Sequence, residues 1–219
     1  MSLTLYAHPF SSYCQKVMTA LHENATPYTL RMLDADSADA AHEFETLWPI
    51  KRMPILVDGG RAIMESSIII EHLGLHHPGP SQLIPPDARD ALEVRFMDRF
   101  FDLYVMTPMQ RIVADHLRPP GQRDARTVAE ARALLDTAYA WRARQLADRE
   151  WACGDAFSLA DCAAAPALFY ADWTHPIGDD FAGVRQYRQR LLARPSFARA
   201  VDQARPYRPL FPLGAPNRD

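Results

Sequence analysis

The chain has 219 residues, of which 48% are hydrophobic and 23% are charged, and its formal net charge is −3. This length suits one or two domains with a sizeable core, and the composition is that of an ordinary globular protein. Because residues of both signs are dispersed, we expect no broad basic surface for nucleic acid or for an anionic membrane. No apolar run approaches the length that spans a bilayer.

The N-terminus and the cysteines bear on location. Met1-Ser2-Leu3-Thr4 has neither a basic region nor a long apolar region, so no secretory signal is expected. The three cysteines, Cys14, Cys153 and Cys162, are irregularly spaced, which predicts reduced thiols and a cytoplasmic protein. Neither they nor the eight histidines show a zinc-ligand spacing, so no metal is predicted.

The chain opens with a predicted strand, turn and helix. Residues 3–6 alternate in polarity, His8-Pro9-Phe10 follows as a turn, and a helix is predicted over about 13–23. The apolar positions of this helix recur at i, i+3, i+4 and i+7: Cys14, Val17, Met18 and Leu21. Ser11 and Ser12 are its N-cap candidates, and the unpaired N–H groups beside them favour an anion.

The next segments mix strands and helices. Residues 28–32 alternate like a half-buried strand, and 41–47 carry a short helical pattern. Two apolar runs on either side of Asp58-Gly59-Gly60 predict a β-hairpin. Ser66 is predicted to cap the helix that follows. The predicted order is therefore β-α-β-α-β-β-α.

A proline-rich stretch divides the chain. Turn formers concentrate at Pro78, Gly79, Pro80, Pro85 and Pro86, which marks a domain boundary. Strand signals vanish beyond it. We therefore predict an N-terminal domain over residues 1–77, a linker over 78–87 and an all-helical domain over 88–219.

The second domain shows only helical patterns. The helix after the linker is apolar on two faces, which predicts burial on both sides, against its own domain and against a partner or ligand. Further helical patterns cover 123–149, 184–193 and 196–204. Ser158 and Asp161 have capping-box spacing at the start of another helix. The tail, 205–219, contains four prolines and is predicted to be irregular.

Four motifs in this order resemble the cytosolic glutathione transferase family. Ser11-Ser12-Tyr13-Cys14 looks like the catalytic serine segment of the serine-type classes, which include zeta, theta and phi. Ile50-Lys51-Arg52-Met53-Pro54 with Glu65-Ser66 is similar to the family's glutathione-binding half, and Gly154 with Ser158-Leu159-Ala160-Asp161 matches its C-terminal capping motif. The resemblance implies an α+β thioredoxin-like N-terminal domain followed by an all-α helical bundle.

The resemblance also implies how glutathione, as co-substrate, would be bound. Met53, before a cis Pro54, would pair with the cysteinyl backbone. Ser66 would receive the γ-glutamyl carboxylate, and Glu65 the ammonium. Each has a plainer alternative: a trans proline opening a strand, an ordinary N-cap and a solvated acid.

Ser11 would donate a hydrogen bond to the glutathione thiolate, unless it is a cap without a catalytic role. Arg52 replaces the glutamine usual in the serine classes and is either a ligand of the glycyl carboxylate or a surface charge. Gln110 belongs to Thr107-Pro108-Met109-Gln110, which looks like a zeta-class segment whose glutamine reaches glutathione.

The electrophile is expected between the Ser11 turn and the helical domain. We predict a pocket lined by Phe10, Tyr104, Met106 and Thr107, although methionines at helical spacing are more often part of a core. The proline-rich tail is predicted to reach the pocket mouth.

The leading functional hypothesis is a glutathione transferase that acts on a small, partly apolar electrophile. The alternatives are a zeta-like glutathione-dependent cis–trans isomerase, a non-catalytic glutathione-binding or regulatory protein, and a thiol reductase using Cys14. The resemblance implies a homodimer, and no nucleic-acid or membrane partner is expected.

Overall fold

The computed structural model describes residues 2–146 and 148–219. Met1, which begins the predicted N-terminal domain, lies outside the described residues. So does Ala147, which falls within the helix predicted over 123–149.

The first domain is a four-stranded sheet with three helices. Its elements are β1 Leu3–Ala7, α1 Ser12–Glu23, β2 Thr29–Met32, α2 Ala38–Leu47, β3 Ile55–Asp58, β4 Arg61–Met64 and α3 Ser66–His76. The strand order is β2-β1-β3-β4, with β1 parallel to β2 and the other two pairs antiparallel. The predicted element order and the thioredoxin-like fold are confirmed.

The β3–β4 hairpin has the turn that its sequence predicts. Gly59 and Gly60 join the strands with φ values of 55° and 88°, a conformation that glycine adopts without steric cost. The hairpin brings Asp58, the last residue of β3, opposite Arg61 of β4.

The second domain is helical in its described residues. Its elements are α4 Ala88–Phe100, a π-helical segment Phe101–Met106, α5 Thr107–Leu117, a 3-10 turn Pro120–Gln122, α6 Ala125–Gln145, α7 Leu159–Thr174, a 3-10 turn Asp179–Phe181, α8 Ala182–Ala193, α9 Pro195–Ala204 and a 3-10 segment Arg205–Leu210. The prediction that the tail is irregular is therefore wrong at its start. Prolines fit this segment because their fixed φ lies within the 3-10 range.

Helix α7 forms the centre of the second domain, and all of its residues are buried. The capping box predicted from Ser158 and Asp161 is confirmed. The Asp161 carboxylate also accepts hydrogen bonds from the Tyr187 hydroxyl at 2.6 Å and the Ala152 N–H at 2.8 Å. These bonds satisfy a fully buried carboxylate, as burial requires.

The π-helical segment lies where α4 and α5 meet. Pro108 has no N–H to donate to the carbonyl four residues earlier, so the regular hydrogen-bond ladder is interrupted there. The Thr107 hydroxyl instead donates to the Asp102 carbonyl oxygen at 2.9 Å.

The predicted double burial of this helix is only partly seen in the single chain. Phe100 is buried, but Phe96 and Leu103 are about half exposed. Burial of the second face against a partner stays a prediction. In the part of the chain that the structure describes, none of the helices combines the length and the apolar sequence that crossing a membrane requires.

A buried ion cluster joins the two domains. The Lys16 ammonium of α1 lies 2.6 Å from Asp98 Oδ1 and 2.9 Å from Asp102 Oδ2. It also donates to the Ser67 hydroxyl at 2.9 Å, and Ser67 donates to Asp98 at 2.7 Å. These contacts fix the start of α1 relative to α3 and to the second domain.

Candidate functional site

Ser11 occupies the N-cap position of α1. Its backbone is extended, its N–H donates to the His8 carbonyl oxygen at 2.9 Å, and its side chain makes no capping hydrogen bond. Ser12 is the first helical residue, so Ser11 and not Ser12 is the N-cap of the two candidates. The hydrogen bond to the His8 carbonyl oxygen closes the turn at Ser11, so the backbone changes from extended to helical between Ser11 and Ser12.

The turn before Ser11 is fixed by buried polar contacts. The Gln15 amide donates to the Pro9 carbonyl oxygen and to the Tyr170 hydroxyl, both at 3.0 Å. The Tyr170 hydroxyl in turn donates to the Phe10 carbonyl oxygen at 2.9 Å. Tyr170 belongs to α7, so the second domain contributes to the position of Ser11.

Ser11 borders a cavity of about 500 Å³ with a charged lining, called here the polar cavity. Its lining residues are Ser11, Tyr13, Lys51, Arg52, Met53, Pro54, Glu65, Ser66, Arg99, Asp102 and Gln110. The N-termini of α1 and α3 both reach this cavity, and each is a favourable place for a negative group.

The predicted glutathione ligands of the first domain meet in the polar cavity. The peptide bond between Met53 and Pro54 is cis, as the resemblance implies. The N-cap of α3 is Glu65, and Ser66 is the first helical residue, so the prediction that Ser66 is the cap is wrong by one position. Glu65 has a φ of 69°, an unusual value for a residue other than glycine and one often found at functional sites.

Tyr13, Arg99 and Asp102 also line the polar cavity but were not among the predicted ligands. Arg99 pairs with Asp102 at 3.0 Å. Burial, and then the charge of Asp102, raise the pKa of the Tyr13 hydroxyl to about 12, so it is neutral at physiological pH. Arg99 and Asp102 interrupt the otherwise apolar pattern of residues 94–105, and this interruption is the sequence signal that could have identified them.

A second cavity of about 480 Å³ adjoins the first and is called here the apolar cavity. It is lined by Phe10, Ser11, Ser12, Arg52, Met109, Gln110, Val113, Ala114, Leu117, Tyr170, Leu210, Phe211 and Pro212. Ser11, Arg52 and Gln110 border both cavities. The tail contributes Phe211, whose ring lies 6.5 Å from that of Phe10.

The four predicted pocket residues are not brought together. Phe10 lines the apolar cavity, but Tyr104, Met106 and Thr107 line neither cavity. Met106 is 1% exposed in the core, and Tyr104 is 46% exposed on the outer face of the π-helical segment. The helical residues that do line the apolar cavity follow one turn later, from Met109 onward.

Cys14 lies in the core on the buried face of α1. Burial raises the pKa of its thiol to about 11, and this effect outweighs the opposite effects of the Ser11 hydroxyl and the His8 backbone. Burial likewise raises the pKa of the Cys153 thiol to about 12. Thiols with such values carry little thiolate at neutral pH and are poor nucleophiles.

A larger cavity of about 600 Å³ lies beside the linker, between α1, α3 and the proline-rich stretch. It contains none of the predicted ligands, and its lining is not adjacent to Ser11. Size alone therefore does not identify the site.

The fold and the two cavities define a class of protein. A thioredoxin-like domain presents a cis-proline and two helix N-termini to a charged cavity, and a helical domain adds an apolar cavity beside it. This combination is the one that the sequence motifs imply for glutathione transferases.

Comparison with known families gives the same class. Residues 5–81 match the glutathione S-transferase N-terminal domain, and residues 96–195 match the glutathione S-transferase C-terminal domain. The chain belongs to the glutathione S-transferase family.

Individual relatives span nearly the whole chain. A glutathione S-transferase from Methylobacterium radiotolerans, solved in complex with glutathione sulfonate, is 30% identical with a TM-score of 0.79, over 92% of this chain and 95% of that one. A probable maleylacetoacetate isomerase from Vibrio cholerae is 27% identical over 94% of this chain and 98% of its own length. A stringent starvation protein A homolog from Pasteurella multocida is 24% identical over 93% and 92%.

Proposed function

We propose that this protein is a glutathione transferase in which Ser11 stabilises the thiolate of glutathione for attack on a small, partly apolar electrophile. The observation that carries the proposal is the position of Ser11 at the junction of the polar and the apolar cavity. A thiolate held there faces charged groups on one side and an apolar pocket on the other.

The polar cavity offers a partner for each charged group of glutathione. Ser66 and the N-terminus of α3 receive the γ-glutamyl carboxylate, and Glu65 binds the ammonium of the same residue. The Met53 backbone beside the cis bond pairs with the cysteinyl residue. Arg52, which is exposed at the border of the two cavities, binds the glycyl carboxylate through its guanidinium.

Gln110 adds a contact from the second domain. It is exposed on α5 and borders both cavities, so its amide donates to bound glutathione without closing either cavity.

The energies are sufficient for Ser11 to favour the thiolate. Lowering the pKa of a thiol by about two units requires about 2.7 kcal/mol. A hydrogen bond to a charged group contributes about 1.5–3 kcal/mol, and a helix N-terminus about 0.3–1 kcal/mol. Among the described residues, no His, Asp or Glu side chain forms a hydrogen bond with the Ser11 hydroxyl that would make it a nucleophile, so we propose donation as its role.

Tyr13 is the competing donor, because its hydroxyl also borders the polar cavity. We favour Ser11 because Tyr13 does not border the apolar cavity, where the electrophile would bind. In the proposed step the thiolate sulfur forms a bond to the electrophilic carbon, and the leaving group departs with its electron pair.

The apolar cavity is the proposed electrophile site, with Met109, Val113 and Phe211 in place of the pocket residues predicted from sequence. Met109 and Phe211 are buried, and their apolar side chains favour a flat or branched hydrophobic group.

Isomerisation is the second candidate. The similarity to a probable maleylacetoacetate isomerase and the segment Ile50-Lys51-Arg52-Met53-Pro54 favour it. The same thiolate would add to a double bond and leave again after rotation. A non-catalytic glutathione-binding role is the third candidate, because one similar chain is named a stringent starvation protein A homolog and not a transferase.

We further propose a cytoplasmic homodimer, in agreement with three free cysteines and with the exposed apolar side chains of Phe96, Leu103 and Tyr104. Gel filtration at twice the chain mass is expected. Elution at the monomer mass would contradict the dimer.

Two assays test the proposed function together. Retention on immobilised glutathione measures binding, and turnover of a generic aryl halide with glutathione measures transfer. A transferase shows both. Retention without turnover, also when a cis-configured unsaturated acid is offered, would instead support the non-catalytic role.

A further inference from the structure

A cluster of two histidines and one aspartate lies outside the glutathione site. Asp58 is the last residue of β3, His72 lies in the last turns of α3, and His77 is the residue that ends α3. These three residues are called here the His–Asp cluster. They come together because the turn of the β3–β4 hairpin and the C-terminus of α3 lie beside each other.

The ligand-bearing atoms of the cluster are close to one another. His72 Nε2 lies 3.0 Å, and His77 Nε2 lies 2.7 Å, from the same oxygen, Asp58 Oδ2. All three ligand atoms lie within 4.8 Å of one another. The side chains of His72 and Asp58 are 11% and 12% exposed, whereas that of His77 is 26% exposed and gives access from solvent.

Two of the three distances are close to those that a metal site needs. Ligands about 2.0–2.2 Å from a tetrahedral zinc ion are separated by about 3.3 Å, so each N–O distance would lengthen by a few tenths of an ångström. The two Nε2 atoms, which lie within 4.8 Å of each other, would settle at the same separation. Each imidazole would move its proton to Nδ1, and the Nε2 lone pair would then face the ion. Apart from these protons, no atom of the cluster would have to be displaced for the ion to bind.

Two further features of the cluster favour a cation. Asp58 Oδ1 is buried and has no hydrogen-bond partner among the described residues, although a buried carboxylate oxygen normally has one. The cluster also surrounds the C-terminus of α3, where the helix dipole favours positive charge.

We propose that Asp58, His72 and His77 bind one divalent transition-metal ion per chain, with water in the remaining coordination positions. Two imidazoles and one carboxylate suit zinc, nickel, cobalt or copper, whereas magnesium and calcium prefer oxygen ligands throughout. The proposal departs from the expectation, drawn from spacing alone, that the histidines form no zinc site.

The ion ties the end of β3 to the end of α3 and takes no part in glutathione chemistry. Six residues of α3, about 9 Å of helix, separate Ser66 from His72, and none of Asp58, His72 and His77 lines the polar cavity. The proposal is therefore independent of the proposed function.

Zinc titration of the metal-free chain tests the site. The chain is used without a histidine tag and in the absence of glutathione, whose thiol binds zinc itself. Calorimetry is expected to give one zinc ion per chain, and magnesium is expected to give no heat of binding. Absence of zinc binding would overturn the proposal.

Variants locate the ion. Asp58→Asn, His72→Gln and His77→Gln should each weaken zinc binding by at least about 100-fold, since loss of an outer-shell partner alone costs about 10–100-fold. His42→Gln, on the exposed face of α2, is the matched control and should bind like the parent chain. Equal affinity in all four variants would overturn the assignment.

A variant of His76 distinguishes the proposed site from an alternative in which the metal binds two histidines of one helix, His72 and His76. Its ring centroid lies 4.5 Å from that of His72, four residues earlier on the same helix. His76→Gln is expected to leave zinc affinity within about threefold, because Nε2 of His76 is not among the clustered ligand atoms. If His76→Gln abolishes binding and His77→Gln does not, the proposed site is wrong.

The absorption spectrum of bound cobalt tests the proposal even if a variant folds poorly, because it requires only the parent chain. Cobalt bound by the parent chain should show visible bands without the strong near-ultraviolet absorption of a thiolate ligand. Thiolate absorption would assign the metal to a cysteine and overturn the proposal. The far-ultraviolet circular dichroism of the metal-free chain checks the folding of each variant.

Discussion

The hydroxyl of Tyr170 donates a hydrogen bond of 2.9 Å to the carbonyl oxygen of Phe10, the residue before Ser11. The donor belongs to the central helix of the second domain, and the acceptor belongs to the turn that presents Ser11. Because Gln15 donates to the same hydroxyl at 3.0 Å, the turn is held from both domains. The position of Ser11 thus depends on residues that do not border the polar cavity.

Tyr170→Phe is expected to lower both stability and turnover. The change leaves the Phe10 carbonyl oxygen without its donor, which costs about 1–3 kcal/mol. We expect kcat/KM for the aryl halide to fall by about tenfold, which corresponds to about 1.4 kcal/mol of lost transition-state stabilisation. Urea unfolding and steady-state kinetics measure the two effects.

Tyr139→Phe is the matched control for this variant. Tyr139 is also buried in the second domain, but its hydroxyl has no hydrogen-bond partner among the described residues. Its removal should leave kcat/KM unchanged and should not lower the free energy of unfolding. Equal losses of turnover in the two variants would contradict a role for the Tyr170 bond.

Lys16→Met is expected to reduce the free energy of unfolding by about 3–5 kcal/mol, because it leaves Asp98 buried without its counter-charge and leaves Asp102 with Arg99 alone. The chain has one other lysine, Lys51, which is 58% exposed and pairs with Glu45. Lys51→Met should cost no more than about 1 kcal/mol. Denaturant unfolding of both variants checks the difference, and similar losses would mean that the buried cluster does not stabilise the domain contact.

Arg52→Gln restores the residue usual in the serine classes and tests the glycyl carboxylate contact. Loss of an exposed ion pair worth about 1 kcal/mol should weaken glutathione binding by about fivefold. The effect should shrink at high salt, because salt screens exposed charges. Calorimetry at low and high ionic strength measures it. Arg61→Gln, at the exposed first residue of β4, should bind glutathione normally. Normal binding by Arg52→Gln would show that Arg52 is a surface charge.

Cys14 should be inert at neutral pH. Its folded-state pKa, about 11, is raised above the ordinary value, so the reactive thiolate appears only as the pH rises toward 11. Alkylation by iodoacetamide at pH 7 should therefore be at least about tenfold slower in the native chain than in urea. Cys14→Ala should leave any disulfide-reducing activity unchanged. Rapid native alkylation at Cys14 would revive the thiol-reductase hypothesis.

Local patterns predicted most of the first domain. The strand–turn–helix around Ser11 and the hairpin around Gly59 follow from periodicity and turn chemistry, which act over a few residues. The cis bond at Pro54 came from the family resemblance, because spacing alone does not distinguish cis from trans.

The electrophile pocket was harder to predict, because the side of a helix that a residue faces depends on the backbone conformation of every residue before it. The π-helical segment before Pro108 changes that side, so Met106 turns into the core and Met109 and Val113 reach the apolar cavity. Phe211 arrives from the far end of the chain, and Asp58 reaches His77 through the fold. Neither contact can be recognised from the residues that neighbour it in the sequence.

The most direct test of the central claim is the ultraviolet absorbance of the glutathione thiolate bound to the protein, measured against pH. Ser11→Ala should raise the pKa of the bound thiol by about 1–2 units, because one hydrogen bond to the charged sulfur is lost. Ser12→Ala and Tyr13→Phe should leave that pKa unchanged. If Ser11→Ala leaves the absorbance at neutral pH unchanged, or if Tyr13→Phe removes it, Ser11 is not the partner of the thiolate.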